Sequence, residues 1–233
     1  MIEFADQTFG SQFDRGTAGV IENIRCRNCE FAHCGLSLTK EIQRRTAVRN
    51  SEFIRCRANG CDVGPAIIED VLISDLQTND LFILWGTLFR RVTLAGRIGK
   101  IKVNPFVDAI DRSAATQSPF DEHRTQFYSE TDWALDIRDA RFKLFELRGI
   151  PAKLIRRNSE SQVVITRDRA LDPSWRQRLS PSNELWPFMI DMFLADGEED
   201  RVFVAPLDAP KKKRDLLLQQ LDELRTAGVA SPD

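Results

Sequence analysis

The chain has 233 residues, 42% of them hydrophobic and 29% charged. That composition excludes a disordered protein and leaves room for one or two packed domains. Its 33 Lys and Arg nearly balance 35 Asp and Glu, for a net charge of −2, so no global field draws it to nucleic acid or to an anionic membrane.

The opening stretch MIEFADQTFG carries neither the basic nor the apolar region of a secretory signal. The longest strongly apolar run, Leu81-Phe82-Ile83-Leu84-Trp85, is too short to span a bilayer. All five cysteines lie before residue 62, an odd number that fits reduced thiols rather than a disulfide framework. The expected location is the cytoplasm, without membrane association.

From residue 46 to 85 the chain divides without a break into five-residue blocks: TAVRN, SEFIR, CRANG, CDVGP, AIIED, VLISD, LQTND, LFILW. The first position is small or aliphatic, the third is mostly apolar and larger, and the last two are mostly polar. The same grammar appears earlier as IEFAD and QTFGS, then VIEN, IRCRN, CEFAH and CGLSL, and later as VTLAG after one extra residue at Arg91. This pattern resembles the pentapeptide-repeat family, with CEFAH and SEFIR as its best-matching blocks. The resemblance covers somewhat under half of the chain. It implies that residues 1–105 form an all-β, right-handed quadrilateral β-helix of about five turns.

Residues one turn apart are then expected to stack at about 4.8 Å. Allowing two-residue corner insertions near Arg15–Thr17 and Thr39–Arg45, the frame aligns Phe4, Cys26, Val48, Ile68 and Leu88 on one face. It aligns Phe9, Phe31, Phe53, Ile73 and Leu94 on the next. Leu36, Ala58, Thr78 and Ile98 form a third column, and Ile21, Ile42, Val63, Ile83 and Val103 a fourth. Asp6, Asn28, Asn50 and Asp70 fall at a corner, where Asn and Asp tolerate unusual dihedrals.

Residues 106–130, rich in Ser, Thr and Gln, read as a linker or cap segment. Residues 131–233 read as a separate α+β domain. Within it a strand is expected at Ala140–Leu147, and a hairpin at Ala152–Arg157 and Gln162–Arg167 around Asn158–Ser161. A helix is expected from about Pro187 to Gly197 with Phe188, Met189, Met192 and Phe193 on its inner face. A strand at Arg201–Leu207 and a last helix from about Pro210 to Ala227 follow, the latter with Leu217, Leu221 and Leu224 inward. An open end of the repeat exposes strand edges, so the second half is expected to cover it near Val103, or else to cover the apolar side at Phe82–Trp85.

Chemistry is hard to find. Cys26, Cys29, Cys34, Cys56 and Cys61 with His33 invite a zinc reading, but their places in the blocks favour core packing. No metal and no cofactor is expected. His33 and His123 are the only histidines, and no nucleophile triad, phosphate loop or HExxH helix is present. The acidic run Asp196, Glu198, Glu199 and Asp200 reads as a solvated turn. Trp133, Trp175 and Trp186 read as core residues. Lys211, Lys212, Lys213 and Arg214 oppose a helix macrodipole and form a weak anion-binding candidate.

The leading expectation is a non-enzymatic interaction or scaffold protein, with another protein or a second copy of the chain as partner. Its candidate surface is Ile54, Ile67, Leu72, Phe82, Leu84 and Trp85. An enzyme or ligand-binding activity in the second half is the alternative. A third reading is the DNA-mimic, topoisomerase-binding role that the resemblance implies for some members. It is disfavoured, because 14 Lys and Arg balance 13 Asp and Glu up to residue 110, and nucleic acid is not an expected partner.

Overall fold

The computed structural model describes residues 1–231. The strands of the first half are β1 (Ile2–Ala5), β2 (Thr8–Gly10), β3 (Val20–Glu22), β4 (Ile24–Arg27), β5 (Glu30–Ala32), β6 (Gly35–Leu36), β7 (Ala47–Ile54), β8 (Arg57–Asn59), β9 (Asp62–Val63), β10 (Ile67–Ser74), β11 (Gln77–Thr78), β12 (Phe82–Trp85) and β13 (Leu88–Asn104). Helix α1 (Ala114–Ser129) follows, then β14 (Leu135–Asp136), β15 (Ala140–Leu147), β16 (Ile155–Arg156) and β17 (Gln162–Thr166). The chain ends with α2 (Arg167–Leu171), α3 (Leu185–Asp196), β18 (Asp200–Val204) and α4 (Lys211–Thr226).

A left-handed residue recurs at five-residue spacing and turns the chain: Asp6, Ser11 and Gly16, then Asn23, Asn28 and His33, then Asn50, Arg55 and Gly60, then Asp70 and Asp75, then Gly86, Arg91 and Gly96. Between these bends the chain is extended, and it returns in the same direction each time, so every pairing in the first half is parallel. Phe4 lies against Cys26, Cys26 against Phe53, Phe53 against Ile73 and Ile73 against Leu94, in steps of 22, 27, 20 and 21 residues.

The strands do not assemble into a free-standing quadrilateral β-helix followed by a separate α+β domain, and that expectation is corrected. They form one twelve-stranded sheet, ordered β1-β4-β7-β10-β13-β12-β9-β6 with β3, β14, β15 and β16 attached, and a four-stranded sheet β11-β8-β5-β2. The large sheet is an all-parallel half-barrel curled about a shared core. The physical cause lies in β13, which runs for 17 residues. It bends at Arg91 and Gly96 instead of stopping there. Its first part pairs with β10 and its last part with β12, which joins two legs into one surface.

The second half then extends that surface. Val92 and Thr93 pair with Leu135 and Asp136 of β14, and Gly96–Val103 pairs with Ala140–Leu147 of β15. Ile98, Phe142 and Ile137 are almost wholly buried at this join. One hydrophobic core therefore runs from Phe4 and Cys26 to Ile155 and includes Val202 and Val204. A second, smaller core lies around Val163, Ile165, Trp186, Phe193, Leu221 and Leu224. The boundary between cores falls near residue 160, well past the end of β13.

Two registers differ from the expected columns. Cys26 meets Phe53 rather than Val48, and Phe31 meets Ala58 rather than Phe53. The reason is the segment from Ser37 to Thr46, which loops out with a 3-10 turn at Ile42–Arg44 and absorbs more residues than a two-residue corner. The second slip precedes β12. Left-handed residues fall at Asp75 and next at Gly86, eleven residues on, so the extra residue lies before β12 and not at Arg91. Leu84, not Ile83, consequently pairs with Val63 and Val103.

Residues 106–130, expected as a linker or cap segment, are mostly helix. Helix α1 buries Phe120, Phe127 and Tyr128, and the Tyr128 hydroxyl accepts from the Phe89 backbone N–H at 3.4 Å. The expected hairpin is also absent: β16 pairs with β14, and β17 pairs antiparallel with β18. Strand β15, helix α3 and helix α4 lie where the residue pattern places them, with Gly197 left-handed (φ 77°) after α3.

Candidate functional site: two apolar surfaces

None of the residues expected to form an interaction surface is freely exposed. Leu84 is buried, and Ile54, Ile67, Leu72, Phe82 and Trp85 are half-buried. Ile67 and Phe82 pack against the main core. The shift in frame before β12 accounts for Phe82 and Leu84, which line an interior space.

Apart from Leu81, Ile110, Leu144 and Leu216, the large exposed apolar side chains gather at two other places. The first is α3. Leu185 (41% exposed), Phe188 (60%) and Met192 (43%) follow a spacing of three and four residues and so form one stripe. Trp186, Ile190 and Phe193 occupy the buried side. Helix α3 is apolar on nearly all sides, and a helix of that kind has more apolar surface than one core can cover. The helix is therefore rotated relative to the expected face, which had Phe188 and Met192 inward. Leu171, at the end of α2 and 59% exposed, belongs to the helix that packs beside α3. An ion pair between Arg176 and Asp191 gives this region a charged rim, and the Arg176 guanidinium also lies over the Trp175 ring at 4.3 Å.

The second place is the open end of the curled sheets, where Met1, Ile2, Phe13, Val20 and Ile21 are exposed. A cavity of about 600 Å³ opens here and is lined almost wholly by apolar groups. Its walls follow the ladders of the sheets: Ile21, Val48, Ile68 and Phe89 in one, Leu36, Val63, Leu84 and Val103 in another. Phe13 and Val20 at the mouth are half exposed, whereas Phe89, Ile101 and Leu135 at the far end are almost wholly buried. The space is a funnel, open at the rim and closed by buried side chains at its far end.

Asp14 secures the rim. Its carboxylate accepts from the Thr17 backbone N–H (3.1 Å) and hydroxyl (2.8 Å), from the Ser37 N–H (2.9 Å) and from the Thr46 hydroxyl. Partial burial acts to raise its pKa, but these hydrogen bonds outweigh burial and hold it below the ordinary carboxylate value.

The remaining candidates resolve into structure. Cys26, Cys29 and Cys56 are buried, and Cys34 and Cys61 half-buried, all as free thiols. Burial, with Cys29 and Cys56 close by, pushes the Cys26 thiol up to about 12. The Cys56 and Cys61 thiols donate to the backbone oxygens of Cys26 and Phe31 in the layer before them. No group of three or more His, Cys, Asp or Glu residues is arranged to hold a metal among the described residues. Lys211, Lys212 and Lys213 are exposed on the first turn of α4, and Arg214 pairs with Asp215 at 3.2 Å.

The acidic run is a solvated turn only at Glu199, which is exposed. Asp196 pairs with Arg148 and with Arg201, Glu198 pairs with Arg201 at 2.8 Å, and Arg201 is 3% exposed. Glu198 also accepts from the Gly149 N–H and Asp200 from the Ala152 N–H. This buried cluster ties the segment after β15 to β18. Trp175 and Trp186 are buried, and Trp133 is half-buried beneath Arg156 at 4.1 Å.

A comparison of the sequence with protein-family models finds no match, and a comparison with curated proteins finds none.

Proposed function

We propose that this chain is a non-enzymatic interaction protein that engages a protein partner through the apolar stripe Leu185–Phe188–Met192. The observation that carries the reading is Phe188, a phenylalanine 60% exposed on a helix whose opposite side is fully packed. Large aromatic side chains are the residues most enriched at binding hot spots. An apolar stripe at helical spacing with a charged rim suits a partner that presents an apolar helix face or groove. A second copy of the chain is the alternative occupant.

We also propose a cytoplasmic location, supported by five cysteines that remain unpaired thiols. Among the described residues, no helix is long and apolar enough to cross a membrane.

The test places a photo-crosslinking residue at Phe188 in the native host, with Glu122 as a control position. A discrete adduct at position 188, absent at 122 and lost with Met192→Asp, supports the reading. Its mass distinguishes a second copy from a different protein. Identical adducts at both positions, or none at 188, would refute it.

A further inference from the structure

We propose that the funnel at the open end of the curled sheets binds a single unbranched alkyl chain whose head group is uncharged. The inference is independent of the α3 surface.

The size and composition of the space point to a ligand. Small-molecule sites are concave, mostly apolar and on the order of 300–1,000 Å³, and this funnel has about 600 Å³. Its shape selects the ligand further. Apolar residues recur layer after layer along the walls, and successive layers of a parallel sheet lie about 4.8 Å apart. Ile21, Val48, Ile68 and Phe89 mark four such layers, so the space is long in the direction of stacking, at roughly 14 Å over three steps. Half-buried Phe9, Phe31 and Phe53 stand along it, with Phe31 stacked on Phe9 at 5.3 Å and edge-on to Phe53 at 6.1 Å. An unbranched chain matches a space that is long in the stacking direction and walled by these rings.

The head group is constrained by charge. The residues lining the funnel include two carboxylates, Asp14 and Asp62, and no Lys, Arg or His. Asp14 is at the rim with both oxygens already accepting two hydrogen bonds each. A fatty carboxylate entering head-last would leave its charge beside the Asp14 carboxylate, and the basic group at the mouth, Arg15 over the Phe13 ring at 5.5 Å, is exposed and screened by solvent, so the arrangement disfavours binding. An alcohol head meets no such penalty, and Gln12 and Thr17 at the rim are polar neighbours for it.

The experiment titrates the full chain with 1-octanol, 1-decanol and decanoate below their aggregation limits, by calorimetry. Binding of one decanol per chain, tightening up to about four-fold for each added methylene, with decanoate at least ten-fold weaker, is the expected result. Val20→Arg places a cation at an exposed rim position without disturbing the core. It is expected to weaken decanol and to reverse the preference toward decanoate. Equal affinity for decanol and decanoate in the unmodified chain would overturn the head-group assignment. Absence of saturable decanol binding, or binding that Val20→Arg leaves unchanged, would overturn the site itself. Thermal unfolding of Val20→Arg confirms that any loss comes from the rim and not from misfolding.

Discussion

Replacing Phe142 by alanine tests whether the two halves of the chain share one core. Phe142 is wholly buried, sits on β15 opposite Ile98 of β13, and stacks on Phe145 with ring centres 4.1 Å apart and planes 15° from parallel. Truncating a buried phenylalanine costs about 3–5 kcal/mol, from lost transfer free energy and from the cavity left behind. The aromatic pair contributes about 0.5–1.5 kcal/mol of that beyond area burial. In a chain of this length each kcal/mol moves the midpoint by roughly 2–4 °C, so a fall of about 6–20 °C is expected. Thermal and urea unfolding by circular dichroism measure the loss, and hydrogen exchange locates it. Because β10, β13 and β15 are neighbours in one sheet, amides of β10 are expected to lose protection together with those of β15. A cost below about 1 kcal/mol, or faster exchange confined to residues after 130, would refute the reasoning.

Other consequences follow from the buried groups. His123 lies beside Arg45, whose Nη2 is 3.2 Å from its Nδ1, with Phe127 and Glu130 also near; burial first, and Arg45 second, hold its pKa below the ordinary 6.5. The unfolded chain therefore takes up that proton first, so stability is expected to hold above pH 6.5 and to fall as pH drops below it. His123→Gln should flatten the slope between pH 6.5 and 5 in urea midpoints, and an unchanged slope would contradict the assignment. Arg201→Leu leaves Asp196 and Glu198 without their shared partner and is expected to cost about 3–5 kcal/mol, whereas a stabilised variant would show that the cluster is dispensable. Iodoacetamide at pH 8 should modify Cys34 and Cys61 slowly and Cys26, Cys29 and Cys56 only on unfolding, as mass spectrometry reads directly; rapid labelling of Cys26 would place it outside the core.

Several elements were legible in the residues alone. The Phe- and Leu-rich run Ala140–Leu147 marks β15, and Leu217, Leu221 and Leu224 mark the buried face of α4, each of these three leucines nearly inaccessible. Five-residue spacing locates the bends, because Asn, Asp and Gly accept left-handed dihedrals at small cost.

What the residues did not show is how many intervene between layers. A loop such as Ser37–Thr46 closes through the Asp14 carboxylate, and that tertiary contact carries no periodic signal. One extra residue before β12 reverses which side chains point inward, and this moved Leu84 from the expected surface into the core. The sheet architecture was hidden for a related reason. Nothing in the pattern of β13 alone states that β14 and β15, more than thirty residues on, will pair with its two parts. The α3 stripe was missed because a helix apolar on all sides has no unique inner face to read. The funnel depends on how far side chains leave the centre unfilled, which block grammar does not encode.

The continuity of the curled sheet across the chain is tested most directly by hydrogen exchange over residues 88–104, in the full chain and in a chain ending at residue 130. The structure pairs this strand on both sides, with β10 and β12 before it and β14 and β15 after it. In the full chain its amides are expected to be as protected as those of β10. Without residues 131–233 they should lose that protection, and the fragment should associate through the uncovered edge or fail to fold. A monomeric fragment that unfolds cooperatively and keeps full protection at residues 88–104 would contradict the account and show two independent modules.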